Sequence, residues 1–205
     1  MIDSDAPFDL SHAKAIGVLS VGIWRIPHLA QFFPIPVQRL RRFSLGHPTS
    51  VGCVAAWGYR PSRRAAHRYA KHHQLPLLTL EDGFIRSIGI GRAGYPPVSL
   101  IIDDMGIYFD ARQPSRLEQL IQDSDDAQAG RAEACMALIR QHQLSKYNHA
   151  PVFRVTQSAP HNVLVVDQTV GDQSVAAGGA SADSFQRMLQ TARQQHPTST
   201  IWIKT

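Results

Sequence analysis

Long apolar stretches are missing from this sequence, and their absence excludes a membrane-spanning helix. No run approaches the roughly 18 consecutive apolar residues that such a helix needs, although 43% of the 205 residues are hydrophobic. The amino terminus carries three acids before the first apolar run, the reverse of the basic start of a signal peptide. These features predict a cytosolic, soluble protein.

Motifs that bind metals or cofactors are also missing. The two cysteines, Cys53 and Cys135, lie far apart, and the ten histidines are scattered without an HExxH spacing. No P-loop or GxGxxG is present, and "GIGRAG" leads into Pro96-Pro97 rather than into a helix. We therefore expect no metal site and no bound cofactor.

Positive charge is present in excess and is clustered. The net charge is +5, and much of it lies in "VQRLRRF" (37–43) and "YRPSRRAAHRYAKHH" (59–73). Such runs most often form solvated helix faces; the alternative is an anionic partner, either a phosphate-bearing substrate, a lipid surface or nucleic acid. Nucleic acid is disfavoured because the chain lacks an RNA-binding aromatic platform and a zinc module.

Apolar strands alternate with helices along the chain. Strands are predicted at 15–22, 50–58 and 76–80, with helices after Pro27 and from Pro61 to about His73. Strands that are apolar rather than alternating favour a parallel sheet covered by helices. The sequence thus predicts an α/β fold. Residues 15–150 are expected to form a Rossmann-like domain, and residues 1–14 a disordered tail before it.

Further elements are predicted downstream. Two short strands around a tight turn are expected within "VSLIIDDMGIYFD" (98–110). Helices are then expected at 116–122, after a cap at Pro114-Ser115, and at about 127–143. A second α/β unit at 151–205 is predicted to hold the strand "NVLVV", a helix capped by Ser181 and the strand "STIWIKT". Because this last strand has no helix after it, we expect the chain to be a fragment.

Polar residues follow several of these strands, at the edge where open parallel sheets bind ligands. The candidates are Glu81 and Asp82 after the third strand, with Arg86 close behind; Asp167, Gln168, Asp172 and Ser174 after "NVLVV"; and Lys204 at the end of "TIWIK". Neighbouring carboxylates that are partly desolvated raise one pKa, which suits a general acid or base.

Each acidic group also has a structural interpretation. Asp82 could accept loop N–H bonds while Glu81 pairs with Arg86. In "DQTVGDQS" Gly171 frees the loop, Ser174 could cap the next helix, and either Asp could bond the loop backbone. The residues alone leave these alternatives open.

Seven segments taken in order resemble one protein family, the bacterial capsule-polysaccharide β-Kdo transferases. The segments are "GIWRIPHL", "AAWGYRPS", "LEDGFIRSIGIG", "PPVSLIIDDMGIYFDARQPSRLEQLI", "LSKYNHAP", "VLVVDQTVGDQSVAAG" and "IWIKT". They cover roughly residues 15–205, and the first looks most like the amino-terminal of the two catalytic modules of such proteins. An ordered series of this kind is far more specific than any single motif.

The resemblance implies a GT-B-like transferase, of which this chain would be the acceptor-side part. The donor would be CMP-β-Kdo and the acceptor a glycolipid built on lyso-phosphatidylglycerol, with the β configuration retained. By position in the matching motif Asp172 would be the nucleophile, and Glu81 or Asp82, with a slight preference for Glu81, the acid/base. Arg86, Asp167, Gln168, Ser174 and Lys204 would bind substrate.

The family pattern continues past Lys204 into a His-Pro pair, which would meet the donor phosphate and which is absent here. We therefore expect the chain alone to be inactive. The basic clusters would suit an anionic glycolipid and peripheral contact with the inner membrane. Two rivals stay open: a non-catalytic export or assembly component, and a transferase that uses another CMP-sugar of the sialic acid type.

Overall fold

The computed structural model describes residues 10, 13–41, 51–89, 91–145 and 161–204, with the backbone alone for Arg92. The chain divides into two compact units. The first comprises Met1–Tyr108 and Pro114–Ala150, and the second comprises Phe109–Gln113 and Pro151–Thr205. No helix within the described ranges is long and apolar enough to cross a bilayer.

The first unit contains a five-stranded, mostly parallel sheet. Its strands are β1 (Ile16–Val18), β2 (Val37–Arg39), β3 (Cys53–Trp57), β4 (Leu77–Asp82) and β5 (Leu100–Asp103), arranged in the order β2-β1-β3-β4-β5. The first four strands run parallel, whereas β5 pairs antiparallel with β4. The expected α/β fold with a parallel sheet is confirmed, and the orientation of the edge strand β5 is the exception.

Helices cover both faces of this sheet because the side chains of β3 alternate between two apolar clusters. Cys53, Ala55 and Trp57 join the face that carries helix α1 (Val21–Trp24) and a 3-10 turn at Leu29–Phe32. Val54 and Ala56 join the other face, against helix α2 (Arg63–His72). The helix predicted from Pro61 is confirmed, and Ala66, Tyr69 and Ala70 are its buried stripe.

Two predictions for the first 41 residues are wrong. The basic segment at 37–43 was expected to form a helix face, but residues 37–39 form β2, which pairs with β1 through Ile16 and Val37; Arg42 and Phe43 lie outside the described residues. The helix after Pro27 is reduced to the 3-10 turn at Leu29–Phe32, and it cannot begin earlier because His28 has a left-handed φ of 58°.

The segment at 98–110 was expected to form two strands, and it forms only β5. The chain turns after β5 because the buried carboxylate of Asp103 accepts the backbone N–H groups of Met105 and Gly106 and, across 13 residues, that of Arg116. The predicted helices follow as α3 (Arg116–Gln122) and α4 (Asp126–Gln141). Ser115 and Glu118 form the capping box of α3, which confirms the cap expected at Pro114-Ser115.

The second unit is smaller and also α/β. Strand β6 (Asn162–Val166) pairs in parallel with β7 (Thr200–Lys204), and between them lie helices α5 (Gln173–Ala177) and α6 (Ala182–Gln195). The predicted strands and the helix capped by Ser181 are confirmed. The parallel pairing puts the last residues of both strands at one edge of the pair.

Candidate functional site

The adjacent carboxylates Glu81 and Asp82 are the last two residues of β4 rather than residues that follow it. Their prediction as loop residues is wrong because antiparallel pairing with β5 extends β4, with Glu81 opposite Ile101 and Asp82 opposite Leu100. They still stand at the carboxyl end of the strand, where an open parallel sheet binds ligands.

The carboxylate of Glu81 is fixed by its neighbours. The indole N–H of Trp57, the last residue of β3, donates to Oε1 at 3.0 Å, and the backbone N–H of Asp82 donates to the same oxygen at 3.1 Å. Burial raises the pKa of the Glu81 carboxyl above its usual value, and the negative charge of Asp82 adds to the rise. The two hydrogen bonds and the charge of Arg60 lower the pKa, but they do not cancel the effect of burial.

Asp82 has a different partner. Its Oδ1 accepts a 2.7 Å charged hydrogen bond from Nε of Arg86. The predicted structural pairing joined Glu81 to Arg86, and this part of the prediction is wrong because the ion pair belongs to Asp82. The two neighbouring carboxylates therefore differ, one paired with a cation and the other held by neutral donors with a raised pKa.

The loop after β4 is shaped around Arg86. Its guanidinium donates to Ser87 Oγ at 3.2 Å and to the carbonyl of Tyr95 at 3.4 Å, besides Asp82. A side chain at Gly91 would overlap the guanidinium, so a larger residue there would displace Arg86. As a substrate-binding group, Arg86 would therefore share its charge with Asp82.

In the second unit, Asp172 occupies the N-cap of α5. Its Oδ1 accepts the backbone N–H and the hydroxyl of Ser174, both at 2.9 Å. Ser174 was expected to cap this helix; it is instead the second helical residue and donates to the cap, because Asp172 has the extended backbone that an N-cap requires. Gly171, with a φ of 83°, makes the turn that presents exposed Asp172.

The remaining predicted residues of this unit gather at the carboxyl edge of its strand pair. The backbone N–H of Asp167 bonds to the carbonyl of Lys204 at 2.8 Å, and the side chain of Asp167 accepts the N–H of Gln168 at 2.8 Å. The side chain of Lys204, on the last residue of β7, is exposed. The structure thus joins Asp82 to Arg86 beside Glu81 in the first unit. In the second unit it joins Asp167 to Gln168 and Lys204, and separately Asp172 to Ser174.

Sequence reasoning missed Trp57 and Arg60. Trp57 bonds to Glu81 across 24 positions of sequence, and the Arg60 guanidinium lies 5.7 Å from the centre of the Trp57 ring. A signal was available, since Trp57 ends a buried strand next in the sheet to the strand that carries Glu81. Among the described residues, no cluster of three His, Cys, Asp or Glu side chains could hold a metal ion.

Residues 52–159 and 153–205 match the family described as capsule polysaccharide biosynthesis protein. The chain belongs to this family. It is 44% identical over 195 residues to the capsule polysaccharide modification protein LipA of Neisseria meningitidis serogroup B, which covers 91% of this chain and 27% of LipA. It is 36% identical over 152 residues to the lipopolysaccharide-processing protein LpsZ of Rhizobium meliloti, covering 71% of this chain and 34% of LpsZ.

Solved structures of KpsC from Thermosulfurimonas dismutans are also similar. The β-Kdo 2,4 transferase KpsC superposes with a TM-score of 0.83 and 38% identity, covering 94% of this chain and 60% of that one. The β-Kdo 2,7 transferase KpsC superposes with a TM-score of 0.64 and 25% identity, covering 93% and 59%. The chain therefore spans only part of the length of the relatives that it matches.

The raised pKa of Glu81 predicts the effect of replacing it by glutamine. Below the pKa of the unfolded chain, roughly 4.3, the carboxyl is protonated in both states and costs nothing. As the pH rises through the higher folded pKa, ionisation destabilises the folded protein. Gln carries no charge, and its carbonyl can accept both N–H bonds. Glu81→Gln should therefore increase the free energy of unfolding at pH 7, and the gain should vanish below about pH 4.

Urea unfolding at pH 7 and pH 4 measures this difference. The exposed residue Glu133 on α4 supplies the matched control, Glu133→Gln, which should change the stability little at either pH. A stability change in Glu81→Gln that is no more favourable at pH 7 than at pH 4 would contradict the raised pKa.

Proposed function

We propose that this chain is the acceptor-side part of a retaining glycosyltransferase of GT-B type. The enzyme would transfer β-Kdo from CMP-Kdo to an acceptor built on lyso-phosphatidylglycerol, in the synthesis of capsular polysaccharide. The likeness to the KpsC transferases is the observation that carries the proposal. It is supported by carboxylates at the carboxyl ends of the strands in both units.

The proposed mechanism is a double displacement. A carboxylate oxygen of Asp172 attacks the anomeric carbon of Kdo, the bond to CMP breaks, and CMP leaves with the electron pair of that bond. An acceptor hydroxyl then attacks the same carbon from the opposite face while a base removes its proton, and the bond to Asp172 breaks. Two inversions at one carbon retain the β configuration.

Asp172 is suited to the role of nucleophile. Both hydrogen bonds from Ser174 end on Oδ1, which orients the exposed carboxylate and leaves Oδ2 as the attacking oxygen. Glu81 is better suited than Asp82 to the role of base. Its raised pKa brings the carboxyl closer to neutral pH, where proton transfer is most efficient, and Asp82 is neutralised by Arg86.

The cationic groups would complement the charges of the substrates. CMP-Kdo carries a carboxylate and a phosphodiester, and negative charge develops on CMP as it leaves. We propose that Arg86 and Lys204 meet these charges, and that Asp167, Gln168 and Ser174 position the sugar. No cofactor takes part in this proposal. Because the acceptor is a membrane lipid, we also propose that the protein works at the cytoplasmic face of the inner membrane.

Substitution of Asp172 separates its two roles. Asn is as good an N-cap as Asp, but an amide cannot act as the nucleophile. Asp172→Asn in the full-length protein should keep the wild-type melting temperature and lose Kdo transfer by about 1,000-fold or more. Asp172→Ala should lose transfer and, in addition, about 1 kcal/mol of stability through the missing cap.

Transfer is followed by chromatography of the acceptor, and stability by thermal unfolding. Full transfer activity in Asp172→Asn would contradict the mechanism. If the wild-type protein also transfers no Kdo, the result would favour the rival function, a non-catalytic export or assembly component.

The second rival, a transferase for another CMP-sugar, is tested by the choice of donor. The full-length protein, incubated with a lyso-phosphatidylglycerol that already carries a Kdo residue and either CMP-Kdo or CMP-sialic acid, should release CMP and extend the acceptor only with CMP-Kdo. Release of CMP from CMP-sialic acid with extension of the acceptor would contradict the assignment of Kdo.

A further inference from the structure

A basic cleft lies at the start of α2. Its lining consists of Tyr59, Arg60, Arg63, Arg64, His67 and Arg68, and its volume is about 520 Å³. The lining thus contains four arginines and no acid. The segment that was expected to be a solvated helix face therefore also forms a concave surface.

Two arginines of the basic cleft are held in place by aromatic rings. The guanidinium of Arg60 lies 5.7 Å from the centre of the Trp57 ring, and that of Arg63 lies 5.1 Å from the centre of the Tyr59 ring. Arg63 also donates to Thr79 Oγ1 on β4 at 2.7 Å. Arginines that are already oriented lose less conformational freedom when they bind a ligand.

The charges of the basic cleft are unfavourable for the helix by itself. The first turn of α2 contains no acid, so cations stand at the positive end of the helix dipole. Arg64 and Arg68 are like charges one helical turn apart, a spacing that destabilises a helix. Within the described ranges, none of Arg60, Arg64 and Arg68 forms an ion pair. An anion in the basic cleft would relieve all of these repulsions.

Charge, rather than the helix amides, would recognise the anion. The N–H groups of Arg63, Arg64 and Ala65 at the start of α2 already bond to the carbonyls of Arg60, Pro61 and Ser62. The exposed guanidinium groups remain, and their planar pairs of donors match the paired oxygens of a phosphate or a carboxylate.

The position of the basic cleft connects it to the candidate base. In the strand order β2-β1-β3-β4, β2 is added on one side of β1, whereas β3 and β4 are added on the other side. The switch point therefore lies between β1 and β3. Ligands of open α/β sheets bind outside the carboxyl ends of the strands at such a point. Tyr59 and Arg60 directly follow β3. Trp57 contacts Arg60 on one side and Glu81 on the other, and the charge of Arg60 acts on the pKa of Glu81.

We propose that the basic cleft binds the phosphodiester of the lipid acceptor. This inference rests on the proposed function, which names that lipid as a substrate. In a glycerol phosphodiester the phosphate lies only a few bonds from the hydroxyl on which the sugar chain is built. A phosphate held by Arg60 and Arg64 therefore keeps the first sugar of the acceptor close to Glu81. A carboxylate on a sugar of the growing chain is the competing occupant with the same oxyanion chemistry.

Binding to the full-length protein tests this proposal without turnover. The probe is six-carbon lyso-phosphatidylglycerol below its micellar concentration, and lyso-phosphatidylcholine of the same length is the neutral counterpart. Calorimetry should give saturable binding of the first lipid, weakened by salt, and much weaker binding of the second. Arg60→Ala/Arg64→Ala should weaken binding of the first lipid about tenfold or more, since each lost charged hydrogen bond costs about that factor.

Arg131→Ala/Arg140→Ala on α4 is the matched control, because it removes the same charge from exposed positions outside the basic cleft. It should leave the affinity unchanged, and both double variants should stay folded, with melting temperatures no lower than that of the wild type. Equal weakening by the two variants would overturn the proposal in favour of diffuse attraction. Binding only to vesicles with 30% phosphatidylglycerol, and not to the monomeric lipid, would overturn it in favour of a membrane surface.

A Kdo disaccharide without phosphate identifies the competing occupant. If it binds with the same dependence on Arg60 and Arg64 while the lipid does not bind, the cleft holds a sugar carboxylate and the proposal is wrong. Failure of the proposed function is seen separately. Lipid binding by a wild-type protein that transfers no Kdo would support the basic cleft and contradict the transferase.

Discussion

The parallel pairing of β3 with β4 places the parts of the candidate site next to one another. Trp57 pairs with Leu80, so the following residue, Glu81, comes within reach of the indole N–H. The same hydrogen bond holds a half-buried carboxylate whose pKa is raised, and it connects that carboxylate to Arg60. Without this register, the Glu81 carboxylate and the basic cleft would be separate features of the surface.

The carboxylates of Glu81 and Asp172 lie in different environments. Glu81 is partly withdrawn from water and held by neutral donors, an environment that suits proton transfer. Asp172 is exposed and oriented by a helix start, as its proposed role of nucleophile requires. A raised pKa costs stability, and natural proteins retain such costs at functional sites.

Sequence patterns predicted the elements whose causes are local. The apolar runs before Glu81 and Asp167 gave strands, and the Ser115 and Ser181 caps gave helix starts, because capping and periodicity act within a few residues. Pairing across the chain was not predictable in this way. The short strand β2, the antiparallel β5 and the bond between Trp57 and Glu81 all depend on partners that are distant in sequence. Choices between neighbours also failed: Arg86 pairs with Asp82, and Asp172 rather than Ser174 caps α5.

The most direct test of this account is a titration of the Glu81 carboxyl carbon by NMR in the wild-type protein and in Trp57→Phe. The account predicts a wild-type pKa above the ordinary value for Glu. It predicts a still higher pKa in the variant, because the indole hydrogen bond that stabilises the ionised carboxylate in the wild type is lost. A wild-type pKa at or below the ordinary value, or one that does not rise when the indole is removed, would contradict the assignment of Glu81 as the base.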